Sequence, residues 1–92
     1  FSIVNTNASV DHDCHVGEFA SIAPKACLGG NVYIGGFSSV MIGATVKEKV
    51  HIGQYTIVGA GSTVLTDLPD RVICYGTPAK VIREREPNDS YL

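Results

Sequence analysis

The sequence predicts an all-β solenoid, a chain wound into stacked coils of short parallel strands, and three features of the 92 residues predict it. The first is a ladder at a fixed step of six: Val4, Val10, Val16, Ile22, Leu28, Ile34, Val40, Val46, Ile52, Val58 and Val64 are all aliphatic, and Asp70 ends the run. The second is a mostly small residue two places before each rung, from Ala8 and Cys14 through Ala20, Ala26, Val32, Ser38, Ala44, Val50 and Thr56 to Ser62, with Ser2 opening the series. The third is glycine directly after the rung at Gly17, Gly29, Gly35, Gly53 and Gly59, read as the residue that permits a turn. Six residues turn a helix through about 600°, far from a whole number of turns, so a helix cannot keep the ladder on one side. On a strand, residues two apart share a face, so each rung and the small residue before it point inward together.

Composition agrees and narrows the function. Ten glycines, no tryptophan and many Val and Ile suit short strands and tight turns. A net charge of -2 without a long basic run argues against nucleic acid as a partner. No apolar stretch approaches the roughly 18–20 residues of a membrane-spanning helix, and no signal peptide is visible. Three cysteines, Cys14, Cys27 and Cys74, cannot all pair within the chain, which favours a reducing, cytoplasmic setting. The length allows one domain, and so small a core favours self-association. A chain opening on Phe1 without an initiator Met reads as a fragment or a processed product.

Taken in order, residues 1–7 enter the first coil, with Asn5 and Asn7 near a corner. The next stretch carries the chemistry: His12 stands between Asp11 and Asp13. A neighbouring carboxylate can orient an imidazole and support its charged form, as a general base near neutral pH requires. His15 precedes an inward rung and should face solvent, and Cys14 fills a small inward slot as packing. Residues 31–66 continue the coils, with the charged hexad from Val46 to His51 as a solvated turn. Pro69 and Asp70 break the pattern, so the solenoid domain is placed at 1–68 and a C-terminal extension at 69–92. That extension comprises a strand from Arg71 to Tyr75, the segment Gly76-Thr77-Pro78-Ala79-Lys80, and a charged tail from Glu84 that frays.

The hexads resemble those of the hexapeptide-repeat left-handed parallel β-helix family. The resemblance implies triangular coils of three hexads and a left-handed winding, opposite to the usual right-handed crossover. Residues 18 apart then stack about 4.8 Å apart. Two motifs narrow the likeness. Gly76-Thr77-Pro78-Ala79-Lys80 resembles the G-x-P-A-[KR] loop that lies against coenzyme A in hexapeptide acyltransferases. The segment from Val4 to Cys14 resembles sugar O- and N-acetyltransferases of the sialic acid O-acetyltransferase and bacillosamine N-acetyltransferase group.

By that resemblance His12 is the general base and Asp13 the acid that hydrogen-bonds it, with Asn5 a polar residue close by. Ser21 stands where the group often carries a second histidine touching acetyl-CoA. Gly30, Ile42 and Ala60 match acetyl-CoA contacts, and Pro78 and Lys80 belong to the coenzyme loop. Gly30 lies one coil below His12, leaving room for a ligand and an N–H that could donate to an oxyanion. Ile42 and Ala60, 18 apart, stack into one wall. The resemblance also implies a homotrimer with acetyl-CoA between neighbouring solenoids, and an N-terminal Rossmann-like nucleotide-sugar domain that nothing in these residues resembles.

The function expected is acetyl transfer from acetyl-CoA to an amino or hydroxyl group of a nucleotide-linked sugar. It would proceed directly, without an acyl-enzyme and without a required metal. Two other readings remain open. One is a non-catalytic assembly module. The other is a γ-type carbonic anhydrase-like metal protein, because His15 and His51 lie two coils apart. The position of that group's third ligand holds Thr56, and two histidines fall short of a three-ligand catalytic site.

Overall fold

Each hexad folds as a two-residue strand followed by a four-residue corner. The computed structural model of the chain describes residues 3–5 and 7–84. Its strands are β1 (Ile3–Val4), β2 (Ser9–Val10), β3 (His15–Val16), β4 (Ser21–Ile22), β5 (Cys27–Leu28), β6 (Tyr33–Ile34), β7 (Ser39–Val40), β8 (Thr45–Val46), β9 (His51–Ile52), β10 (Ile57–Val58), β11 (Thr63–Val64), β12 (Val72–Gly76) and β13 (Ala79–Glu84). Every third strand shares a sheet, which builds three walls. Wall one runs β1-β4-β7-β10-β12-β13, wall two β2-β5-β8-β11 and wall three β3-β6-β9. Pairing is parallel at a step of 18, as in Ile3 with Ser21 and Ser21 with Ser39. The chain therefore meets three corners per coil: the first between walls one and two, the second between two and three, the third between three and one.

The ladder is the core. Ile22, Ile34, Ile52 and Val58 have no exposed surface, and the small slots at Ala20, Ala26 and Ala44 are equally closed. Each such aliphatic side chain contributes on the order of 1.5–3 kcal/mol by leaving water. Where a slot is polar, its hydroxyl is satisfied. Ser38 Oγ donates to the Gly53 carbonyl at 2.6 Å and accepts from Thr56 N, and Thr56 Oγ1 donates to the Pro69 carbonyl at 2.7 Å. On the first coil the rungs Val4 and Val10 stay exposed, because among the described residues no coil stacks above them.

The glycines after the rungs do not make the turns. Positive φ falls two residues later, at Asp13, Phe19, Lys25, Asn31, Phe37, Gly43, Lys49, Tyr55 and Gly61, again every sixth residue. The glycines serve stacking instead. A Cβ on Gly17 would lie 2.6 Å from Gly36 N, one on Gly35 2.6 Å from Gln54 N, and one on Gly53 2.6 Å from Asp70 N. At the third corner the coils press backbone on backbone, and a side chain has no place to go.

The solenoid also runs past the last rung of the regular ladder. Ile52 bridges to Leu68, Ile57 pairs with Ile73 and Val58 with Cys74, a step of 16. The closing coil is two residues short, and Leu68 and the fully buried Cys74 take the inward places. Carboxylates supply acceptors there: Asp67 Oδ1 takes His51 N–H and Asp70 Oδ1 takes Gln54 N–H, each at 2.8 Å. The chain then reverses through Thr77-Pro78, a cis peptide, into β13, which pairs antiparallel with β12. Ala79–Glu84 is thus a strand, taking in Ala79 and Lys80 of the segment read from the sequence as a loop and Glu84 of the segment read as the tail. Ser2 and the tail beyond Glu84 lie outside the described residues.

Candidate active site

Asp11, His12 and Asp13 cross the second corner. Asp13 takes the left-handed conformation at φ 57°, one that Asp tolerates better than most residues, and this throws His12 outward. Main-chain bonds from Asp11 N to the Leu28 carbonyl and from Asn31 N to the His12 carbonyl fix the segment to the coil below. The two flanking carboxylates have separate duties. Asp11 Oδ1 accepts the His12 main-chain N–H at 2.7 Å, while Asp13 Oδ2 stands 3.4 Å from imidazole Nδ1. Asp13 is therefore the partner that can hold the proton on Nδ1 and leave the Nε2 lone pair for chemistry. Both side chains are largely exposed, and such separations tighten when a site fills.

Gly30 lies directly below, and the space its missing side chain leaves is taken by the imidazole itself. A Cβ built there would sit 2.9 Å from His12 Cε1 and 3.0 Å from Nε2. The Gly30 carbonyl accepts from Lys49 N, whereas among the described residues its N–H has no partner. A histidine, its carboxylate and an unengaged main-chain donor thus meet at one corner, the parts needed to take a proton and stabilise an oxyanion.

The remaining predicted residues gather elsewhere. Asn5, Ile42 and Ala60 all belong to the first corner, at the opposite edge of wall two from His12. That separation is roughly 15 Å at about 3.3 Å per extended residue. Asn5 Nδ2 donates to the Ile22 carbonyl at 3.1 Å, so within this chain Asn5 braces its own corner rather than His12. Ile42 and Ala60 are exposed, one coil apart. Gly43 and Gly61 follow them at φ 70° with open space beyond, so the left-handed position carries no side chain to shield the neighbouring backbone. These two glycines are not among the sequence-predicted residues, although a glycine three places after a rung is the signal that marks them. The strip ends on the β12–β13 hairpin with Pro78 and Lys80, tied in by Gly76 N donating to Ser62 Oγ at 3.1 Å. Ser21 lies on the outer face of wall one, half-buried, its hydroxyl 3.2 Å from Ser39 Oγ.

Other groups have structural explanations. Cys14 Sγ donates to the Gly29 carbonyl at 3.0 Å from its inward slot. All three cysteines are free, and burial pushes the Cys74 thiol up to about 11. His15 and His51 do face outward, but Tyr33 packs between them, with ring centroids 4.7 and 4.3 Å away. Among the described residues no group of three or more His, Cys, Asp or Glu could hold a metal ion.

No protein-family model matches the chain, and no curated protein matches it. Solved structures do. A histidine-to-alanine variant of GDP-perosamine N-acetyltransferase from Caulobacter crescentus, in complex with CoA and GDP-perosamine, superposes with a TM-score of 0.86 at 45% identity, covering 87% of this chain and 38% of that one. PerB from the same organism, also with CoA and GDP-perosamine, gives 0.77 at 30% identity over 87% and 53%. The acetyltransferase domain of PglB from Neisseria gonorrhoeae, in complex with acetyl coenzyme A, gives 0.77 at 26% identity over 88% and 54%. The chain spans 38 to 54% of the length of these relatives. They are hexapeptide-repeat sugar acetyltransferases with left-handed β-helices, and the β-solenoid described here superposes on theirs.

Proposed function

We propose that this chain is the acetyl-transferring solenoid of an acetyl-CoA-dependent enzyme acting on an amino or hydroxyl group of a nucleotide-linked sugar. The observation that carries the reading is the imidazole of His12 resting on Gly30 beside an unengaged N–H, with Asp13 at Nδ1. The likeness to acetyltransferases holding CoA and a GDP-sugar supports the substrate classes. His12 Nε2 removes the proton as the acceptor nitrogen or oxygen attacks the acetyl carbonyl. The Gly30 N–H takes the charge that develops on the carbonyl oxygen. The carbon–sulfur bond then breaks and coenzyme A leaves as the thiol, with the proton returned from His12. No acyl-enzyme forms, since holding both reactants in line is sufficient, and no metal enters any step.

The split between corners bears on assembly. His12, Asp13 and Gly30 sit at one corner and Asn5, Ser21, Ile42, Ala60, Pro78 and Lys80 line or flank another, so no single copy can close around a ligand. We read the working unit as a cytoplasmic homotrimer in which the second corner of one copy faces the first corner of the next. The strip from Asn5 to Ala60 covers three coils, roughly 15 Å, and suits an extended coenzyme with its phosphates toward Lys80.

Replacing His12 with Ala tests the reading. Calorimetric titration with acetyl-CoA should give nearly unchanged binding, while transfer to GDP-perosamine falls by about 10²–10⁴-fold. Unchanged turnover would remove His12 from the mechanism.

A further inference from the structure

One charged stretch of the second corner has no part in the site as built so far. Residues 18 apart share a corner, so Gly30 lies one coil below His12 and Glu48 one coil below Gly30. Lys49 takes the left-handed conformation at φ 64° and turns the exposed Glu48 outward, as Asp13 at φ 57° turns His12. Main-chain bonds from Lys47 N to the Val64 carbonyl and from Lys49 N to the Gly30 carbonyl, each at 2.9 Å, fix Glu48 in the stack of coils. Between the two outward residues the intervening coil presents only Gly29 and Gly30. A Cβ on Gly30 would meet the imidazole, and one on Gly29 would lie 3.2 Å from Glu48 Cβ. His12 from above and Glu48 from below thus border a strip of bare backbone. Lys47 and Lys49 flank Glu48 in sequence, yet among the described residues its carboxylate has neither an ion pair nor a hydrogen bond. The sequence reads this hexad as a solvated turn; its place beneath the imidazole gives it a use.

We propose that Glu48 is a specificity residue of the acetyl transfer, one that selects an amino over a hydroxyl acceptor. The inference rests on the reading of His12 as general base and decides which nucleophile that base serves. The imidazole already reaches the level of Gly30, with Nε2 3.0 Å from the Cβ position there. The Glu48 side chain starts one coil height lower, about 4.8 Å. A tetrahedral nitrogen making two hydrogen bonds of about 2.9 Å spans about 4.7 Å between its partners. An acceptor nitrogen seated over the bare glycines therefore meets both groups. An amine has two hydrogens to give. One passes to His12 Nε2 as the C–N bond forms, and goes on to the sulfur as the C–S bond breaks. The other stays on nitrogen from amine to amide, and the Glu48 carboxylate accepts from it throughout. A hydroxyl has a single hydrogen, which His12 takes. Glu48 would then face an oxygen with only lone pairs, a repulsive contact that disfavours this acceptor. Lys47 and Lys49 add to the effect, because cations beside the site disfavour an ammonium and keep the amine in the neutral form that attacks.

A comparison of two acceptors tests the assignment. The full chain is assayed by thiol release from acetyl-CoA with GDP-perosamine, the sugar nucleotide held by the superposed structures, and with the matching GDP-sugar that carries a hydroxyl in place of the amino group. The native chain should favour the amine. Glu48→Ala should lower the ratio of the two kcat/KM values by about 10–100-fold, the effect of one hydrogen bond to a charged group. Glu48→Lys, which sets a third cation on the corner, should lower it at least as far. Glu48 is exposed, so both variants should unfold at the native temperature. An unchanged ratio in Glu48→Ala, or a native chain that acetylates the hydroxyl acceptor as well as the amine, would overturn the role of Glu48 and leave His12 as the base. A native chain that transfers acetyl to neither acceptor would instead overturn the transferase reading, and the role of Glu48 with it.

Discussion

Substituting Gly30 with Ala separates the chemistry of the second corner from its stability. The new Cβ would lie 2.9 Å from His12 Cε1 and 3.0 Å from Nε2, against ordinary contacts beginning at 3.4 Å. The imidazole must therefore retreat by at least about 0.5 Å, and as the free end of an exposed side chain it can do so without moving backbone. Gly30 is not in the left-handed region, so alanine fits its backbone and stability should hold or rise by about 0.4–1 kcal/mol. Catalysis should not be so tolerant, since a displacement of about 1 Å in a reacting group can cost about 10²-fold. We expect kcat/KM to drop by about 10–100-fold, or about 1.4–2.7 kcal/mol in the barrier, with Tm unchanged or slightly higher. Thiol release from acetyl-CoA with GDP-perosamine as acceptor, measured beside thermal unfolding, provides both numbers. Full turnover would refute the claim that the ring must rest where it does. Loss of Tm in step with activity would refute the claim that the glycine serves chemistry rather than packing.

Gly35→Ala should do the reverse: its Cβ meets the main chain of the next coil at 2.6 Å, with nothing flexible to give, so unfolding should become easier by more than about 2 kcal/mol by urea titration. A neutral effect there would contradict the tight third corner. Cys74 should make the fold alkali-sensitive. Its thiol is raised from 9.0 to about 11 by desolvation, so its contribution is full below pH 9 and is lost as pH rises through 11. Across that window the native chain should lose roughly 2–3 kcal/mol more than Cys74→Val, and parallel stability curves for the two would show that the thiol is not shielded.

The coils are legible in the sequence because one physical requirement, an inward aliphatic every six residues, repeats without a miss from Val4 to Val64. The turn residue is not, because glycine is the usual bearer of positive φ, and here Phe19, Lys25, Phe37 and Tyr55 bear it while Gly17, Gly35 and Gly53 relieve crowding. Leu68 and Cys74 are hidden by the change of step from 18 to 16, which moves them off the six-residue grid while Asp67 and Asp70 supply acceptors. At the site, His12, Asp13 and Gly30 come together as their spacing of one coil implies. Asn5, Ile42 and Ala60 do not join them: their spacing assigns them to the first corner, and within one copy the two corners stay apart.

Coils that touch only their immediate neighbours turn the axis of the molecule into a graduated rule, marked about every 4.8 Å. The height of the hairpin turn at Thr77-Pro78 below His12 is set by how many marks lie between them, not by any side chain along the way. Inserting or removing 18 residues between them would keep every rung in register and still shift the hairpin by one graduation relative to His12. The distance between the two ends of the solenoid is a matter of counting turns, and can change without a single substitution at either end.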